Sequence, residues 1–552
     1  MNLATLASLV ILVAPIASVS ASDLLDRVRN DAGLCIVVDD FPARAEELAQ
    51  SPLRQRLESL TLYQSWSASS DVSKLKQTAS QIEGLLGEPV PKAILNLIGK
   101  QAVLAVYPQA EGGPSGLLLT TPKQLKDAER LLDLWNVLEK AAVTQQQAGY
   151  WKRVTDRATV YYLLREGLFA MSDRESLIRE IAEGKKAAVE KPLAQDPVWK
   201  QSMSRIREQS WIRVWFRPKL WGGVVEVPEI DGPQGILLKQ LKSAASVVLE
   251  VDTEKGLHAG VHFNYQPGKE PKLLSRYRAT YPGQAGILGV ASDETLAAMT
   301  GRGGLDLVGR ILDRQSTENQ DQQYLRTILK GLLFDKDPYT DLLPSMGNHW
   351  SFEIRREDSQ SKHPVNLLVS ASLDRDWEES PNLPHSLHNL LRSAIRFLAI
   401  SEGNSATDVT TEDLTGNTQI SYYSSRRVLE PSVVVTKERL FLASNQDRAR
   451  RAVLEESDSS SQTGPLTYLT DRDLADSQAG VFINFNTTRE VLEEQPDELL
   501  EMFHVPEERR PSAKESLLLT ADTLQLFDGI YGTWLCREGG WSLFWGAVIQ
   551  PE

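Results

Sequence analysis

The sequence predicts an α+β protein made of two tandem copies of a mainly antiparallel sheet domain with interspersed helices. Three observations carry that expectation. Short blocks recur in the same order in the two halves, apolar runs of strand length are joined by tight turns, and amphipathic helical stretches separate them. At 552 residues the chain also exceeds what one core holds, because single hydrophobic cores stop growing at about 250–300 residues.

The repeat is read from five blocks. Ala32-Gly33-Leu34-Cys35-Ile36-Val37 is answered by Ala285-Gly286-Ile287-Leu288-Gly289-Val290. Residues 95–99, ahead of a strand from Ala102 to Tyr107, are answered by 343–347 ahead of Trp350 to Ile354. Gly116-Leu117-Leu118-Leu119-Thr120 answers to Asn366-Leu367-Leu368-Val369-Ser370. Leu168-Phe169-Ala170-Met171-Ser172 and Leu440-Phe441-Leu442-Ala443-Ser444 each lead into a helix, and the turn Glu254-Lys255-Gly256 answers to Glu538-Gly539-Gly540. Each match is short; their colinear order favours duplication over chance. The copies run over 22–265 and 285–552, joined by a linker over 266–284 that opens with the breaker-rich Gln266-Pro267-Gly268-Lys269-Glu270-Pro271. Residues 455–461, Glu455-Glu456-Ser457-Asp458-Ser459-Ser460-Ser461, read as a mobile loop.

Within a copy the order is strand, amphipathic helices, hairpin, helix, hairpin, helix, strand, hairpin. Turns such as Arg165-Glu166-Gly167 between Val-, Leu- and aromatic-rich runs imply antiparallel neighbours. Residues 123–140 set Leu125, Leu131, Leu132, Leu134, Val137 and Leu138 at helical spacing, which gives a helix with one apolar face. Helices interrupt the strands too often for a transmembrane barrel, and hairpins are too frequent for a doubly wound parallel sheet.

The first 21 residues read as a secretory signal peptide. No charge lies between Leu3 and Ala21; Leu9-Val10-Ile11-Leu12-Val13 is an apolar core, Pro15 breaks it, and Val19-Ser20-Ala21 supplies a cleavage site. An uncleaved anchor is the alternative, since about 19 uncharged residues just span a bilayer. No later stretch reaches spanning length. The mature chain is therefore expected to be soluble, exported to the periplasm or beyond, and without a transmembrane segment.

A formal net charge of −14 repels phosphate backbones, and no dense Lys/Arg run overrides it, so nucleic acid is excluded as a partner. The two cysteines, Cys35 and Cys536, form no CxxC; a long-range disulfide between them is open, and two buried thiols in strand-like runs is the plainer alternative.

The apolar first strand followed by Ala49-Gln50-Ser51-Pro52-Leu53, then Gly84-Leu85-Leu86-Gly87-Glu88-Pro89 before the Gly99 turn, and Gly529-Ile530-Tyr531-Gly532-Thr533-Trp534 with Gly539-Gly540-Trp541 at the C-terminus, resembles a group of large exported bacterial proteins classed only as a domain of unknown function. The resemblance spans nearly the whole mature chain and rests on structural motifs. It implies export and fold, and supplies no functional residues.

Catalytic and cofactor signatures are absent from the sequence: there is no GxSxG, Walker A, GxGxxG or HExxH. Gly113-Pro114-Ser115-Gly116 reads as a turn, and Gly301-Arg302-Gly303-Gly304, after a short helical pattern, as a helix end or loop. His258 and His262, four apart on a strand, are about 13 Å from each other and share no metal. His385 and His388 are three apart on a helix, with Asp374, Asp376, Glu378 and Glu379 nearby in sequence; a polar helix start explains the same letters, so neither a metal nor a cofactor is expected.

One segment stands out. In Trp211-Ile212-Arg213-Val214-Trp215-Phe216-Arg217, strand alternation puts Trp211, Arg213, Trp215 and Arg217 on one face and Ile212, Val214 and Phe216 on the other. Exposed, that ladder would stack sugars or grip an anionic polymer; covered by a helix, it is a packing layer. The expected function is a non-catalytic binding or structural component of the cell envelope, with an unknown protein or an envelope polymer as partner. A hydrolase with a motif-less active site in the groove between the two copies is the alternative. The mature chain is expected to begin at Ser22: intact-mass analysis of exported material checks this, and a mass that retains residues 1–21 makes the segment an anchor.

Overall fold

The computed structural model describes residues 22–549 except 109–112, 166, 184–190, 223–232, 254–255, 267, 282–292, 304–308, 310–311, 314–319, 334–335, 344–345, 358–363, 374–382, 402, 406–407, 415–417, 424–429, 458–476 and 504. It is a mixed α+β structure with two compact units, Met1–Pro271 together with Arg537–Glu552, and Lys272–Cys536.

In the first unit the strands are β1 (Leu34–Asp39), β2 (Gln101–Tyr107), β3 (Ser115–Thr120), β4 (Ala142–Gln145), β5 (Trp151–Val154), β6 (Thr159–Arg165), β7 (Leu168–Ser172), β8 (Ile212–Phe216), β9 (Ser246–Asp252), β10 (Gly256–Asn264) and, from the end of the chain, β20 (Gly540–Val548). They pair antiparallel in the order β4-β5-β6-β7-β3-β2-β1-β8-β9-β10-β20. The helices are α1 (Ser22–Leu25), α2 (Phe41–Gln50), α3 (Pro52–Ser59), α4 (Thr61–Ser67), α5 (Ser70–Leu86), α6 (Val90–Ile98), α7 (Leu125–Leu138), α8 (Glu175–Ala182), α9 (Pro197–Met203) and α10 (Pro233–Ser243). Gly99 ends α6 with φ +60°, and a Cβ there would lie 1.7 Å from the Thr121 carbonyl oxygen, so only glycine lets the chain turn into β2.

The residues of β2 are buried along its whole length because both faces of the sheet are covered. On one face Cys35, Val37, Val103, Ala105, Leu117, Leu119, Ala170 and Trp215 pack under Leu24 and Leu25 of α1, Leu177, Ile178 and Ile181 of α8 and Trp199 of α9. The other face, with Ile36, Val38, Ala102, Leu104, Leu118 and Phe169, lies under α6 and α7.

In the second unit the strands are β11 (Thr295–Gly301), β12 (Met346–Arg356), β13 (Val365–Leu373), β14 (Val409–Asp413), β15 (Gln419–Tyr423), β16 (Ser432–Val435), β17 (Arg439–Ala443), β18 (Ala479–Asn484) and β19 (Gly529–Arg537), in the antiparallel order β14-β15-β16-β17-β13-β12-β11-β18-β19. The helices are α11 (Lys272–Thr280), α12 (Gln320–Leu332), α13 (Leu383–Ser401), α14 (Gln446–Ser457), α15 (Phe485–Glu494), α16 (Pro496–Met502) and α17 (Arg510–Leu524). Leu387, Ile395 and Ala399 of α13 pack on Val433, Val435 and Leu440, while Ala449 and Ala452 of α14 pack on Val434 and Phe441, so this sheet too is covered twice.

Several expectations are corrected. Residues 285–290 lie outside the described residues, and the strand beside β12 is β11. Glu455, Glu456 and Ser457 complete α14 rather than open a loop, and 458–461 lie outside the described residues. Gly301 ends a strand, not a helix. The cysteines follow the plainer reading, not a correction: Cys35 and Cys536 are both buried free thiols, burial pushes the Cys35 thiol far up, and the Cys536 thiol points at the Leu274 carbonyl, 3.8 Å away. His385 is exposed and His388 buried, its Nε2 2.8 Å from Ser421 Oγ, so the pair does not converge on one ion; Asp374, Asp376, Glu378 and Glu379 lie outside the described residues.

The Trp/Arg ladder is also corrected. Trp215, 0% exposed, sits on the densely packed face, edge-on to Trp199 at 5.5 Å. Trp211 precedes the strand and turns to the opposite side, where it joins Phe41, Val38 and Ala102. Arg213 pairs with Asp39, and Arg217 donates to Asp196 Oδ2 and the Asn30 carbonyl, each at 3.3 Å. No stacking platform remains.

Trp215→Ala is expected to destabilise the first unit by about 3–5 kcal/mol in chemical denaturation, the cost of removing a buried indole; a loss within experimental error would put the indole at the surface. Burial, with Arg392 and His385 nearby, lowers the His388 pKa from 6.5 to about 4. Between those values the unfolded chain binds a proton that the folded chain does not, so stability falls on acidification through that window. His388→Gln should flatten this slope in thermal melts, and parallel wild-type and variant curves would contradict it.

Candidate functional site

Two cavities lie on the second face of the first unit's sheet. Strand pairing sets Ile36, Leu104, Leu118 and Met171 in one row across β1, β2, β3 and β7, and Val38, Ala102, Thr120 and Phe169 in the next. Above them α6 contributes Ile94, Leu97 and Ile98, α7 contributes Leu131, Leu132 and Trp135, and Phe41 closes the end. The chamber, partly open to solvent, has a volume of about 350 Å³. Of its thirteen lining residues only Thr120 and Trp135 carry side-chain polar groups; the hydroxyl is spent on the Leu97 carbonyl at 2.7 Å, and the indole N–H serves the Glu139 carboxylate.

A second chamber of about 430 Å³ continues along the same floor past Leu34, Val106 and Gly116. The two meet at Leu118, Trp135 and Met171. This outer chamber ends in polar residues of the β5–β6 hairpin and its surroundings: Glu139, Arg153, Thr155, Arg157, Thr159, Ser172 and Asp173.

Leu132, Leu97 and Trp135 of the roof pack on Phe169, Leu118 and Met171 of the floor, and polar ties fasten its margins. Asn96 of α6 donates to Asp127 Oδ2 of α7 at 3.0 Å. Arg153, buried on β5, stacks on the Trp135 ring at 3.7 Å while its Nε donates to Asn136 at 2.8 Å and its Nη2 to Glu139 at 2.7 Å. The guanidinium holds the Glu139 carboxyl below the usual carboxylate range. Because Arg153 is hydrogen-bonded on two sides, the indole it covers is fixed in place at the junction of the two chambers.

None of Trp211, Arg213, Trp215 and Arg217 lines either chamber. The sequence reading sought a binding face at the Trp/Arg segment and named none of the chamber residues. The signal was present: Ala102-Val103-Leu104-Ala105-Val106 and Leu117-Leu118-Leu119 are unbroken apolar runs, the mark of strands buried on both faces.

A serine, histidine and carboxylate do line up in this unit. His262 Nδ1 is 2.9 Å from Ser542 Oγ, and Nε2 is 3.1 Å from Glu250 Oε1. All three are buried, and Glu250 is further saturated by Ser210 Oγ at 2.5 Å and the Arg207 backbone N–H at 2.8 Å. Burial pushes the Glu250 carboxyl up, but the bonds from His262, Ser210 and Arg207 outweigh it and leave the pKa below the ordinary value. Neither chamber touches these residues, so they form a structural network between β9, β10 and β20.

No helix among the described residues is long and apolar enough to cross a membrane. No protein-family model and no curated protein matches the chain. A solved structure, that of TP0453 in its crystal form III, is similar over 48% of this chain and 88% of that one, at 9% identity and a TM-score of 0.25, too low to carry an argument about fold or function.

Proposed function

We propose that this is a non-catalytic binding protein of the cell envelope that holds an apolar small molecule in the chambered face of its first unit. One observation carries the reading: the inner chamber is large and lined almost wholly by apolar side chains, and its two polar groups, the Thr120 hydroxyl and the Trp135 indole N–H, are already bonded. Protein interiors pack as densely as organic crystals and leave few voids larger than a water, whose share of liquid is about 30 Å³. Ligand pockets, by contrast, run from about 300 to 1,000 Å³ and are mostly apolar. Export is supported by the uncharged, apolar leader over residues 1–21.

We also propose that the two units are copies of one domain. In support, β14-β15-β16-β17-β13-β12-β11-β18 repeats the succession β4-β5-β6-β7-β3-β2-β1-β8. The register agrees as well: Thr120 faces Phe169 as Ser370 faces Phe441, the partners that the repeated blocks equate.

Purified mature protein is expected to bind an apolar reporter such as N-phenylnaphthylamine saturably. Ala102→Phe, which puts a ring into the inner chamber, should weaken it about tenfold or more with an unchanged near-ultraviolet circular dichroism spectrum. Non-saturable binding, or equal binding by wild type and variant, would overturn the reading.

A further inference from the structure

We propose that the rim of the outer chamber reads a zwitterionic head, so that the ligand is a single-chain amphiphile carrying one positive and one negative charge at its polar end. This rests on the apolar-ligand reading above and adds direction and head chemistry to it. Direction follows from the two linings. The inner chamber offers no free polar group, whereas the outer one ends in a polar rim, so the apolar end of a ligand that fills both lies toward Phe41 and Ile94 and its polar end lies at the β5–β6 hairpin. From Val38 to Leu34 the floor runs four residues along β1, about 13 Å, and its two parts meet beneath the Trp135 indole that Arg153 holds. An extended chain follows that path.

Head chemistry follows from the charges that line the rim. Glu139 and Arg153 cancel each other at 2.7 Å. Ser172 Oγ donates to the Gly116 carbonyl at 2.6 Å and accepts from the Arg174 backbone N–H. Thr155 Oγ1 is occupied within the turn by Ala158 and by the Arg157 backbone N–H. Two groups of opposite sign stay open. Asp173 takes both of its bonds on Oδ1, from Ser115 Oγ at 2.6 Å and from the Gly116 backbone N–H at 3.1 Å. Both donors are neutral, so the carboxylate is uncompensated and its Oδ2 is free. The exposed guanidinium of Arg157 has no hydrogen-bond or ion-pair partner among the described residues, Asp173 included. The adjacent Asp156 does not line the chamber, and the Thr159 hydroxyl that does is uncharged. Tyr161 faces Ser172 across β6 and β7, so Asp173 falls beside Val160, and Arg157 lies three residues further along the chain, a span of at most about 10 Å. A head of one sign is attracted by one of these groups and repelled by the other, and a hydroxyl gains only neutral hydrogen bonds. A head with both signs meets the two together, through charge-assisted bonds to each.

Displacement of N-phenylnaphthylamine from the mature protein tests this with four series of equal chain lengths, each below its micellar concentration: alkylphosphoethanolamines, alkyl phosphates, alkylamines and alcohols. Affinity is expected to rise about fourfold per methylene until the inner chamber is full. The phosphoethanolamine should bind about tenfold tighter than the alcohol and tighter than either singly charged series, with phosphate and amine within about threefold of each other. Arg157→Gln should remove the preference and leave the amine ahead of the phosphate. Asp173→Asn, which keeps the Oδ1 acceptor for Ser115 and Gly116, should remove it and leave the phosphate ahead of the amine. Both variants should hold the alcohol within about twofold of wild type, which a collapsed chamber would not. A phosphate, amine or alcohol that matches or outbinds the phosphoethanolamine in wild type, or variants that shift phosphate and amine in the same direction, would overturn the head assignment and leave the apolar reading standing. Displacement by none of the four, with the reporter still bound, would overturn the chain assignment. Failure of the reporter itself to bind would instead sink the reading on which this one rests.

Discussion

Burial of β2 along its whole length is the constraint from which the first unit follows. A strand with apolar side chains on both faces must sit inside a sheet that is covered twice, since either face left in water would expose a continuous apolar stripe. The cover on one side is dense: α1, α8 and α9 interlock with Cys35, Val103, Leu117 and Trp215. On the other side α6 and α7 pack on the floor through Ile98, Leu97, Leu132 and Trp135, are tied at their margins by hydrogen bonds and an ion pair, and leave space above the floor unfilled.

Buried charges in both units serve position. Arg153 fixes Trp135 and the end of α7, Glu250 ties β9 to β10 through His262, and in the second unit Glu353 of β12 binds Arg448 of α14 at 2.8 Å and also Arg355. Each pair is costly to desolvate and strongly destabilising to break from one side, so it specifies a geometry more than it adds stability. The alignment of Ser542, His262 and Glu250 has the composition of a hydrolytic triad, yet its atoms are consumed by one another and by their own strands.

The Trp/Arg segment shows where alternation stops being informative. Period-two spacing does separate Arg213 and Trp215 from Val214 and Phe216, as the pairing of β8 with β1 requires. It says nothing of which side is the deeper one, and it fails at Trp211, which lies just outside the strand and turns toward Phe41. The indoles that looked like one surface feature belong to two different layers.

Sequence alone determined the mixed α+β class, the antiparallel hairpins and the helix over α7, because these depend on spacing and turn chemistry that act within a few residues. The compact units divide after Pro271, at the end of the breaker-rich stretch, but residues 537–552, which the sequence reading gave to the second copy, fall in the first unit. Tertiary structure decided what distant segments share. The end of the chain joins the first unit through the pairing of β20 with β10; His388 turns inward while His385 stays in water; and Phe41, Ile94, Leu118, Trp135 and Met171, scattered over 131 positions of sequence, come to surround one space. A cavity is the gap left between surfaces that chain connectivity brings together. No residue encodes it locally, so only the packed arrangement of sheet and roof makes it visible.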